Sequence, residues 1–317
     1  MQKTILVTGG AGFIGSNLCE HLITSNDENY VICVDNLYTG NLSNISHLLN
    51  NKRFQFINHD IINPLFIDGP VDQIYNLACP ASPPKYQKDP IYTLKVNFIG
   101  IMNMLELAKE KNATILQSST SEIYGEPEVS PQYEEYRGNV NTIGIRSCYD
   151  EGKRVAETLM MDYHKKYGVN IRIARIFNTY GPKMDKNDGR VVSNLINQAI
   201  NNQEVTLYGS GDQTRSFCYI EDQLHGLIKL MNSEYVYPVN IGNPFEITVK
   251  ELANIIIKLT NSTSNIVYKE LPSDDPTNRK PDISKAKEIL LWSPKVDLDL
   301  GILKTIDYFK KIDTKIN

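Results

Sequence analysis

The stretch Thr4-Ile5-Leu6-Val7-Thr8-Gly9-Gly10-Ala11-Gly12-Phe13-Ile14-Gly15 begins as a continuous apolar run and ends in regularly spaced glycines. Strands buried inside parallel sheets are apolar along their whole length, so we expect a central strand here. Apolar residues then recur at helical spacing, which predicts a helix. Gly9, Gly12 and Gly15 allow a tight turn, a close approach of the backbone to a pyrophosphate, and close packing of helix on strand.

A second predicted strand, Tyr30 to Val34, ends in Asp35. A carboxylate at this place can accept hydrogen bonds from both hydroxyl groups of an adenosine ribose, and it repels a 2′-phosphate. The order of strand, glycine turn, helix, strand and acid therefore predicts an NAD site in preference to an NADP site. A glycine-rich turn that binds nothing is the alternative.

Further strand-like runs at 54–58, 73–78, 114–117 and 170–176 alternate with helical patterns, notably Pro90 to Lys111. This alternation favours right-handed βαβ units and an α/β fold with a Rossmann-type, doubly wound parallel sheet. Beyond residue 178 the pattern breaks down, which indicates a smaller C-terminal α/β lobe for the substrate. We expect residues 1–178 to bind NAD, with 216–242 returning to this domain. Residues 179–215 and 243–317 then form the nucleotide-sugar lobe.

Several polar or turn-forming stretches follow predicted strands, at the edge where ligands bind in such sheets. Asp60 and Ile61 follow one strand and Leu77-Ala78-Cys79 another, so both are cofactor candidates. The stretch Pro80 to Pro84 predicts a fixed loop and no helix. The polar run Ser118 to Glu122 is a catalytic candidate, and a helix cap is its alternative.

Tyr149 and Lys153 form the only Tyr-x-x-x-Lys pair in the chain. On a helix the two side chains lie one turn apart on the same face. A free tyrosine has a pKa near ~10, and a nearby ammonium group favours the phenolate and lowers that pKa. The pair is therefore a candidate proton-transfer unit, and Lys153 is also a candidate for binding a ribose hydroxyl. A chance pairing is the alternative, since the chain has 18 tyrosines.

Composition excludes several classes of partner. The net charge is −4 and no basic run is interleaved with aromatic residues, so neither nucleic acid nor an anionic membrane surface is expected as a partner. The five cysteines are scattered and the five histidines form no helical pair, which argues for reduced thiols and against a metal site. Because we find no signal peptide and no run long enough to span a membrane, we expect a soluble, cytoplasmic protein.

Taken together, these motifs resemble the extended short-chain dehydrogenases/reductases that act on nucleotide sugars. Within that group they resemble the UDP-glucuronate decarboxylases, also called UDP-xylose synthases. The resemblance runs from about Lys3 to Phe309 and rests on Gly9-x-x-Gly12-x-x-Gly15, Asp35, Asn76 to Pro84, Ser119 to Gly125, Cys148 to Glu157, Ala174 to Pro182, Asp188 to Asn194 and Arg279 to Asp282.

The resemblance implies a homodimeric enzyme that converts UDP-glucuronate to UDP-xylose with NAD, through a 4-keto intermediate. It implies that Tyr149 is the base, that Thr120 orients the sugar, and that Glu122 and Arg279 lie beside C5. With Lys153 and Ser121 these form the expected catalytic set. The implied cofactor contacts are Gly9, Gly12, Phe13, Ile14, Gly15, Asp35, Asn36, Thr39, Gly40, Asp60, Ile61, Leu77, Ala78, Cys79, Tyr149 and Lys153. The implied substrate contacts are Lys95, Asn178, Arg190, Val191, Tyr208, Gln213, Arg215 and Arg279.

Two other functions stay open on the sequence alone. The related dTDP-glucose 4,6-dehydratases carry aspartate where this chain has Ser121, because they must protonate a leaving hydroxyl. A non-catalytic NAD-binding protein is the second alternative, although such a protein does not need the base Tyr149. For Arg279, the alternative to a role in the site is a surface arginine that pairs with Asp274 or Asp275.

Overall fold

The computed structural model of the chain describes residues 2–270 and 278–316. In these residues the strands are β1 (Lys3–Thr8), β2 (Asn29–Asp35), β3 (Phe54–Asn58), β4 (Gln73–Asn76), β5 (Thr114–Thr120), β6 (Ile171–Ile176), β7 (Thr179–Tyr180), β8 (Val205–Tyr208), β9 (Thr214–Ser216), β10 (Cys218–Tyr219), β11 (Pro238–Ile241), β12 (Glu246–Thr248) and β13 (Ile266–Lys269).

The helices of the same residues are α1 (Phe13–Ser25), α2 (Pro83–Tyr86), α3 (Pro90–Lys95), α4 (Ile101–Lys111), α5 (Ser147–Tyr167), α6 (Val191–Ile200), α7 (Ile220–Met231), α8 (Val249–Thr260), α9 (Ser284–Leu290) and α10 (Leu298–Ile316). A π-helical segment, Val96–Gly100, joins α3 to α4. Three short 3-10 helices, among them Ser121–Tyr124 directly after β5, complete the set.

The central sheet has seven strands in the order β11-β6-β5-β4-β1-β2-β3, and every neighbouring pair is parallel. The chain runs outward from β1 to β3 and then crosses back to place β4 against the other side of β1. The crevice between β1 and β4 is therefore the switch point at which such sheets bind ligands. This order confirms the predicted α/β fold with a doubly wound parallel sheet.

Each face of the sheet is covered by helices that bury an apolar side. On one face α1 and α7 pack with residues such as Leu18 and Leu227. On the other face α4 and α5 pack with residues such as Leu105 and Met160. Helix α5 ends where Gly168 adopts φ 71°, a left-handed conformation that terminates helices.

Apart from α7 and β11, which belong to the central sheet and its covering helices, most described residues after β6 build a smaller lobe at the carboxyl edge of the sheet. Its strands form two-stranded pairs, with β8 parallel to β13 and β9 antiparallel to β12. Helices α6 and α8 pack together, and α10 contacts both. Strand β11 belongs to the central sheet, because it pairs with β6.

The prediction that Pro80 to Pro84 forms a loop without a helix is wrong at its end. Pro83 and Pro84 begin the one-turn helix α2, with Ser82 as the N-cap residue. Proline is favoured in the first turn of a helix, because the N–H that it lacks has no partner there and its φ is already helical.

Among residues 2–270 and 278–316, none of the helices combines the length and the apolar character that crossing a membrane requires.

Gly15 has no room for a side chain, which gives a stability prediction. An added Cβ would lie 2.2 Å from the Gly9 carbonyl oxygen and 2.8 Å from the Gly10 Cα, and both are backbone atoms. We expect Gly15→Ala to lower the free energy of unfolding by ~1–3 kcal/mol in urea denaturation. The control is Gly168→Ala, whose Cβ meets nothing within 4 Å. That variant bears only the cost of a left-handed backbone for a residue with a Cβ, about 1 kcal/mol. A loss no larger for Gly15→Ala than for the control would contradict the prediction.

Candidate active site

A cavity of about 1520 Å³, lined by described residues, lies at the carboxyl edge of the sheet, between the sheet and the smaller lobe. It brings together almost every site residue that the sequence predicts. Its lining includes Gly9, Gly12, Phe13, Ile14, Gly15, Asp35, Asn36, Thr39, Gly40, Asp60, Ile61, Leu77, Ala78, Cys79, Thr120, Ser121, Glu122, Tyr149, Lys153, Asn178, Arg190, Val191, Tyr208, Gln213, Arg215 and Arg279.

Lys95 is the predicted site residue that lies elsewhere. It lines a separate apolar groove on the outer side of α3 and α5, together with Ile91, Leu94, Phe98, Ile99 and Val155. We therefore leave Lys95 out of the candidate site.

The turn between β1 and α1 fits a diphosphate. Gly9 adopts φ 65°, and a Cβ there would lie 2.8 Å from the carbonyl carbon and oxygen of Leu77. The N-terminus of α1 has no side-chain cap, and its first turn has no acidic residue. Its N–H groups and the positive end of the helix dipole can therefore bind an anion.

Asp35 ends β2 beside this turn. Its Oδ2 accepts a hydrogen bond from Ala11 N at 2.9 Å and its Oδ1 accepts one from Leu37 N at 2.8 Å. Burial raises the pKa of Asp35, although the hydrogen bonds from backbone N–H groups act to lower it. The Gly12 N–H also interacts with this carboxylate, so of its roughly four lone-pair positions about one stays free for a hydroxyl group.

A second acidic group at the same edge is held by a residue that the sequence did not single out. The Asn36 Nδ2 donates to Asp60 Oδ2 at 2.9 Å, and the Tyr92 hydroxyl donates to the same oxygen at 2.8 Å. Tyr92 comes from α3, so this contact could not be predicted from neighbouring residues. The three side chains fix the wall of the cavity next to Asp35.

Tyr149 and Lys153 lie on the first two turns of α5 and both are buried. The Lys153 Nζ donates to the Ser118 carbonyl oxygen at 2.8 Å and lies 5.7 Å from the centre of the Tyr149 ring. The Tyr149 hydroxyl is hydrogen-bonded to Thr120. The candidate base, its neighbouring ammonium group and the Thr120 hydroxyl are thus within reach of one another.

The expectation of a lowered Tyr149 pKa is wrong for this structure. Burial raises the pKa of Tyr149, although the hydrogen bond to Thr120 acts against it. Burial also lowers the pKa of Lys153. Loss of water disfavours both charged forms, and this effect is larger than the attraction between phenolate and ammonium.

Glu122 lies between two guanidinium groups. Its Oε2 accepts from Arg146 Nη2 at 2.5 Å and from Arg279 Nη2 at 3.1 Å. Burial acts to raise the pKa of Glu122, but the charges of Arg279 and Arg146 more than offset burial and lower it to about 2. Glu122 is therefore ionised at neutral pH and can accept hydrogen bonds but cannot donate a proton. Arg146 was missed from the sequence, because nothing in its local pattern indicates a contact with Glu122.

Arg279 is 2% exposed, and its Nε and Nη1 atoms are buried without a hydrogen-bond partner. The side-chain hydroxyl of Ser216 helps to hold this loop, because its Oγ donates to the Arg279 carbonyl oxygen at 2.7 Å. The acids named in the surface alternative, Asp274 and Asp275, lie outside the described residues. A buried guanidinium with two unused donors at the cavity is suited to a planar anion.

The smaller lobe contributes the remaining predicted residues. Arg190 precedes α6, pairs with Asp188 at 3.0 Å, and donates to the Ala81 carbonyl oxygen at 3.1 Å. Arg215 on β9 faces the same cavity. Tyr208 ends β8, and its carbonyl oxygen accepts from Gln213 at 2.8 Å.

A protein-family model and curated relatives match this chain over almost its whole length. A family model described as GDP-mannose 4,6 dehydratase matches residues 6–305. UDP-glucuronic acid decarboxylase 1 of Xenopus tropicalis is 54% identical, over 98% of this chain and 73% of its own length. UDP-glucuronic acid decarboxylase 6 of Arabidopsis thaliana is 56% identical, over 94% of this chain and 86% of its own length.

Solved structures share the fold over nearly the whole chain. UDP-glucuronic acid 4-epimerase of Bacillus cereus, in complex with UDP-glucuronic acid and NAD, has a TM-score of 0.87 and 30% identity, over 98% of this chain and 99% of its own. The dTDP-glucose 4,6-dehydratase of Bacillus anthracis, in complex with NAD, has a TM-score of 0.87 and 26% identity, over 98% of each chain. The family model and the relatives that are more than 50% identical together show to which family the chain belongs. The chain therefore belongs to the GDP-mannose 4,6 dehydratase family of extended short-chain dehydrogenases/reductases.

Proposed function

We propose that the protein decarboxylates UDP-glucuronate to UDP-xylose with NAD, through a 4-keto intermediate. The observation that carries this proposal is Arg279, a buried guanidinium with two unpaired nitrogens in the cavity that also contains Tyr149 and Lys153. It supplies a site for a sugar carboxylate next to the group that handles the C4 proton. The names of the relatives that are more than 50% identical support the same reaction.

The cofactor that fits is NAD. The glycine turn before α1 would hold the diphosphate, and the free acceptor position of Asp35 would receive an adenosine ribose hydroxyl while disfavouring a 2′-phosphate. When bound, NAD supplies the hydride acceptor for oxidation at C4 and the hydride donor for the final reduction. Lys153 would bind a ribose hydroxyl. Two solved relatives contain NAD, which supports this assignment.

Oxidation at C4 needs a group that removes the hydroxyl proton. Tyr149 is the candidate because its hydroxyl is buried in the cavity and hydrogen-bonded to Thr120. Thr120 would orient the sugar hydroxyl towards it. Burial raises the pKa of Tyr149, so a positive charge close to the ring is needed to favour its phenolate. Lys153 is the cation that this chain provides, and it is held by the Ser118 carbonyl oxygen.

Loss of CO2 follows from the chemistry of the oxidised sugar, which is a β-keto acid. The electrons of the broken C–C bond move into the C4 carbonyl, and Tyr149 stabilises the enolate oxygen as a hydrogen-bond donor. Arg279 orients the carboxylate, so that the breaking bond stands perpendicular to the plane of the ketone. Ser121 in the cavity provides no acid for a leaving hydroxyl, which favours decarboxylation over dehydration.

Recognition of the nucleotide belongs to the smaller lobe in this proposal. Arg190 and Arg215 carry the positive charge suited to the diphosphate of the sugar nucleotide, and Tyr208 would lie near the uracil. Asn178, Val191 and Gln213 complete the substrate contacts.

The function is tested by incubating the protein with UDP-glucuronate and NAD+ and weighing the products by mass spectrometry. We expect the product to be lighter by the mass of CO2. Loss of water would indicate a dehydratase, and an unchanged mass with a new sugar would indicate an epimerase.

Tyr149→Phe keeps the ring but loses the ionisable oxygen, so turnover should fall more than ~10²-fold while UDP binding is kept. A variant that kept more than about a hundredth of the activity would exclude Tyr149 as the base.

Arg279→His tests the carboxylate site. Losing a bidentate guanidinium contact should lower kcat at least ~10²-fold, which corresponds to about 2.7 kcal/mol of transition-state stabilisation. Affinity for UDP alone should barely change. The control is Lys280→His, which removes the neighbouring cation of the same loop, paired with Glu246 at 2.8 Å. Near-normal kcat in Arg279→His would remove the assignment.

We also propose that the protein forms a homodimer through the apolar groove of α3 and α5. Several of its side chains are exposed, among them Ile91 at 63% and Phe98 at 46%. A second copy can cover the same groove across a two-fold axis, which buries both patches at once.

Light scattering at micromolar concentration tests the dimer. The unchanged protein should have twice the mass of the chain, and Phe98→Glu should give a monomer, because it buries a charge in the interface. The control is Phe66→Glu, at an exposed phenylalanine outside the groove, which should leave the dimer intact. A monomeric unchanged protein would refute the proposal.

A further inference from the structure

Beside Tyr149 lies a buried group of polar side chains whose hydrogen bonding is incomplete. We define this polar cluster as Tyr86, Glu122, Arg146, Asp150 and Arg279. Three of its members have buried atoms without a partner, namely the Tyr86 hydroxyl, the Asp150 Oδ1 and two Arg279 nitrogens. Because a buried polar atom without a partner destabilises the folded chain, their accumulation near one another indicates a region built to act on a bound group.

The members come from different parts of the chain and lie around Glu122 and Tyr149. The ring of Tyr86, on α2, stacks on the ring of Tyr149 with centroids 5.0 Å apart. Asp150 follows Tyr149 on α5 and is 7% exposed. Glu122 joins Arg146 and Arg279, and Asp150 interacts electrostatically with all three of them and with Tyr86.

The two carboxyl groups of the polar cluster differ in their protonation. Glu122 is ionised, because two guanidinium groups stabilise its negative charge. Burial, and then the charge of Glu122, raise the pKa of Asp150 to about 7, although Arg146 and Arg279 act against this and Glu151 on the same helix adds slightly to it. Burial raises the pKa of Tyr86 and of the Cys148 thiol, so both of these neighbours stay neutral. Asp150 is thus the carboxyl that can hold or release a proton near neutral pH.

We propose that Asp150 stores the proton that C5 of the sugar receives after CO2 has left, and that the Tyr86 hydroxyl relays this proton. The proposal rests on the proposed decarboxylation. Asp150 is not among the residues that line the cavity, whereas Tyr86 is. Asp150 therefore does not contact the sugar. It is a positioning residue, which supplies the proton to the sugar through Tyr86.

The proton balance follows from the charges. The carboxylate of the substrate brings a negative charge to Arg279, which favours the neutral form of Asp150, so binding takes up one proton from water. When the C5–C6 bond breaks, its electron pair enters the C4 carbonyl and CO2 leaves without charge. Because the Tyr86 hydroxyl and Asp150 Oδ1 are not hydrogen-bonded to each other, the Asp150 O–H then donates its proton through one intervening water to the Tyr86 oxygen, while the Tyr86 O–H protonates C5. Asp150 is left as a carboxylate beside Arg146 and Arg279, and each CO2 released consumes one proton.

Proton uptake on binding tests the store without any turnover. Tyr149→Phe protein loaded with NAD+ is titrated with UDP-glucuronate at pH 8, by calorimetry in buffers of different ionisation heats. We expect uptake of close to one proton per site, because Asp150 is ionised before binding and neutral afterwards. UDP-xylose, which has no carboxylate, should give none, and neither should Asp150→Asn.

The matched control is Glu151→Gln, which removes the adjacent carboxylate, one that is partly exposed and pairs with Arg154 at 3.6 Å. It should keep the uptake. Equal uptake with and without Asp150 would overturn the proposal. Failure of UDP-glucuronate to bind or to react at all would instead refute the proposed function.

Kinetics separate the store from the relay. In Asp150→Asn, whose amide resembles the neutral acid, kcat should fall at least ~10-fold with KM nearly kept, because binding is preserved and proton delivery is not. The kcat of the unchanged enzyme should fall as pH rises past the pKa of bound Asp150, and Asp150→Asn should lose that dependence. Tyr86→Phe should keep the proton uptake and still lower kcat. Full kcat in Tyr86→Phe would overturn the relay.

Discussion

The candidate site depends on a buried ion pair that joins helix α5 to the central sheet. Glu157 of α5 receives Arg175 of β6 through two hydrogen bonds, Nε to Oε1 at 3.0 Å and Nη2 to Oε2 at 2.8 Å. Burying such a pair is costly unless every donor is satisfied. Here the remaining Arg175 nitrogen donates to the Tyr124 hydroxyl at 3.0 Å and to the Glu134 carbonyl oxygen at 2.7 Å. Because Glu157 lies one turn beyond Lys153 on the same helical face, the pair also fixes where Lys153 and Tyr149 point.

The same network reaches the loop that carries Arg279. The Tyr124 hydroxyl donates to Asn240 Oδ1 at 2.8 Å, and Asn240 Nδ2 donates to the carbonyl oxygens of Gln132 and Asp282, both at 3.0 Å. The two buried arginines therefore differ in an informative way. Arg175 has a partner for each nitrogen and is structural, whereas Arg279 keeps two unpaired nitrogens at the cavity. Incomplete hydrogen bonding, rather than burial, distinguishes the arginine that can bind a ligand.

The sequence predicted what depends on neighbouring residues and missed what depends on the folded chain. The turn from β1 to α1, the acid at the end of β2 and the helical pair Tyr149 and Lys153 follow from spacing of a few residues. Arg146, Tyr92 and Glu157 were missed, since their contacts join distant segments. The direction of the Tyr149 pKa was wrong because the loss of water around a side chain cannot be counted from sequence. Lys95 was placed in the site by resemblance alone, and the structure has it on the outer groove.

In the proposed function, the charge around Glu122 bears on which sugar the site accepts. Glu122 neutralises one of the two guanidinium groups around it, so one positive charge remains for an incoming carboxylate when Asp150 is protonated. An aspartate in place of Ser121 would use up that charge and repel the carboxylate of the substrate, while offering an acid that a leaving hydroxyl needs. A neutral serine keeps the positive charge available. The C6 group of the substrate decides whether CO2 or water can leave, and the neutral Ser121 makes the site suited to a substrate with a carboxylate there.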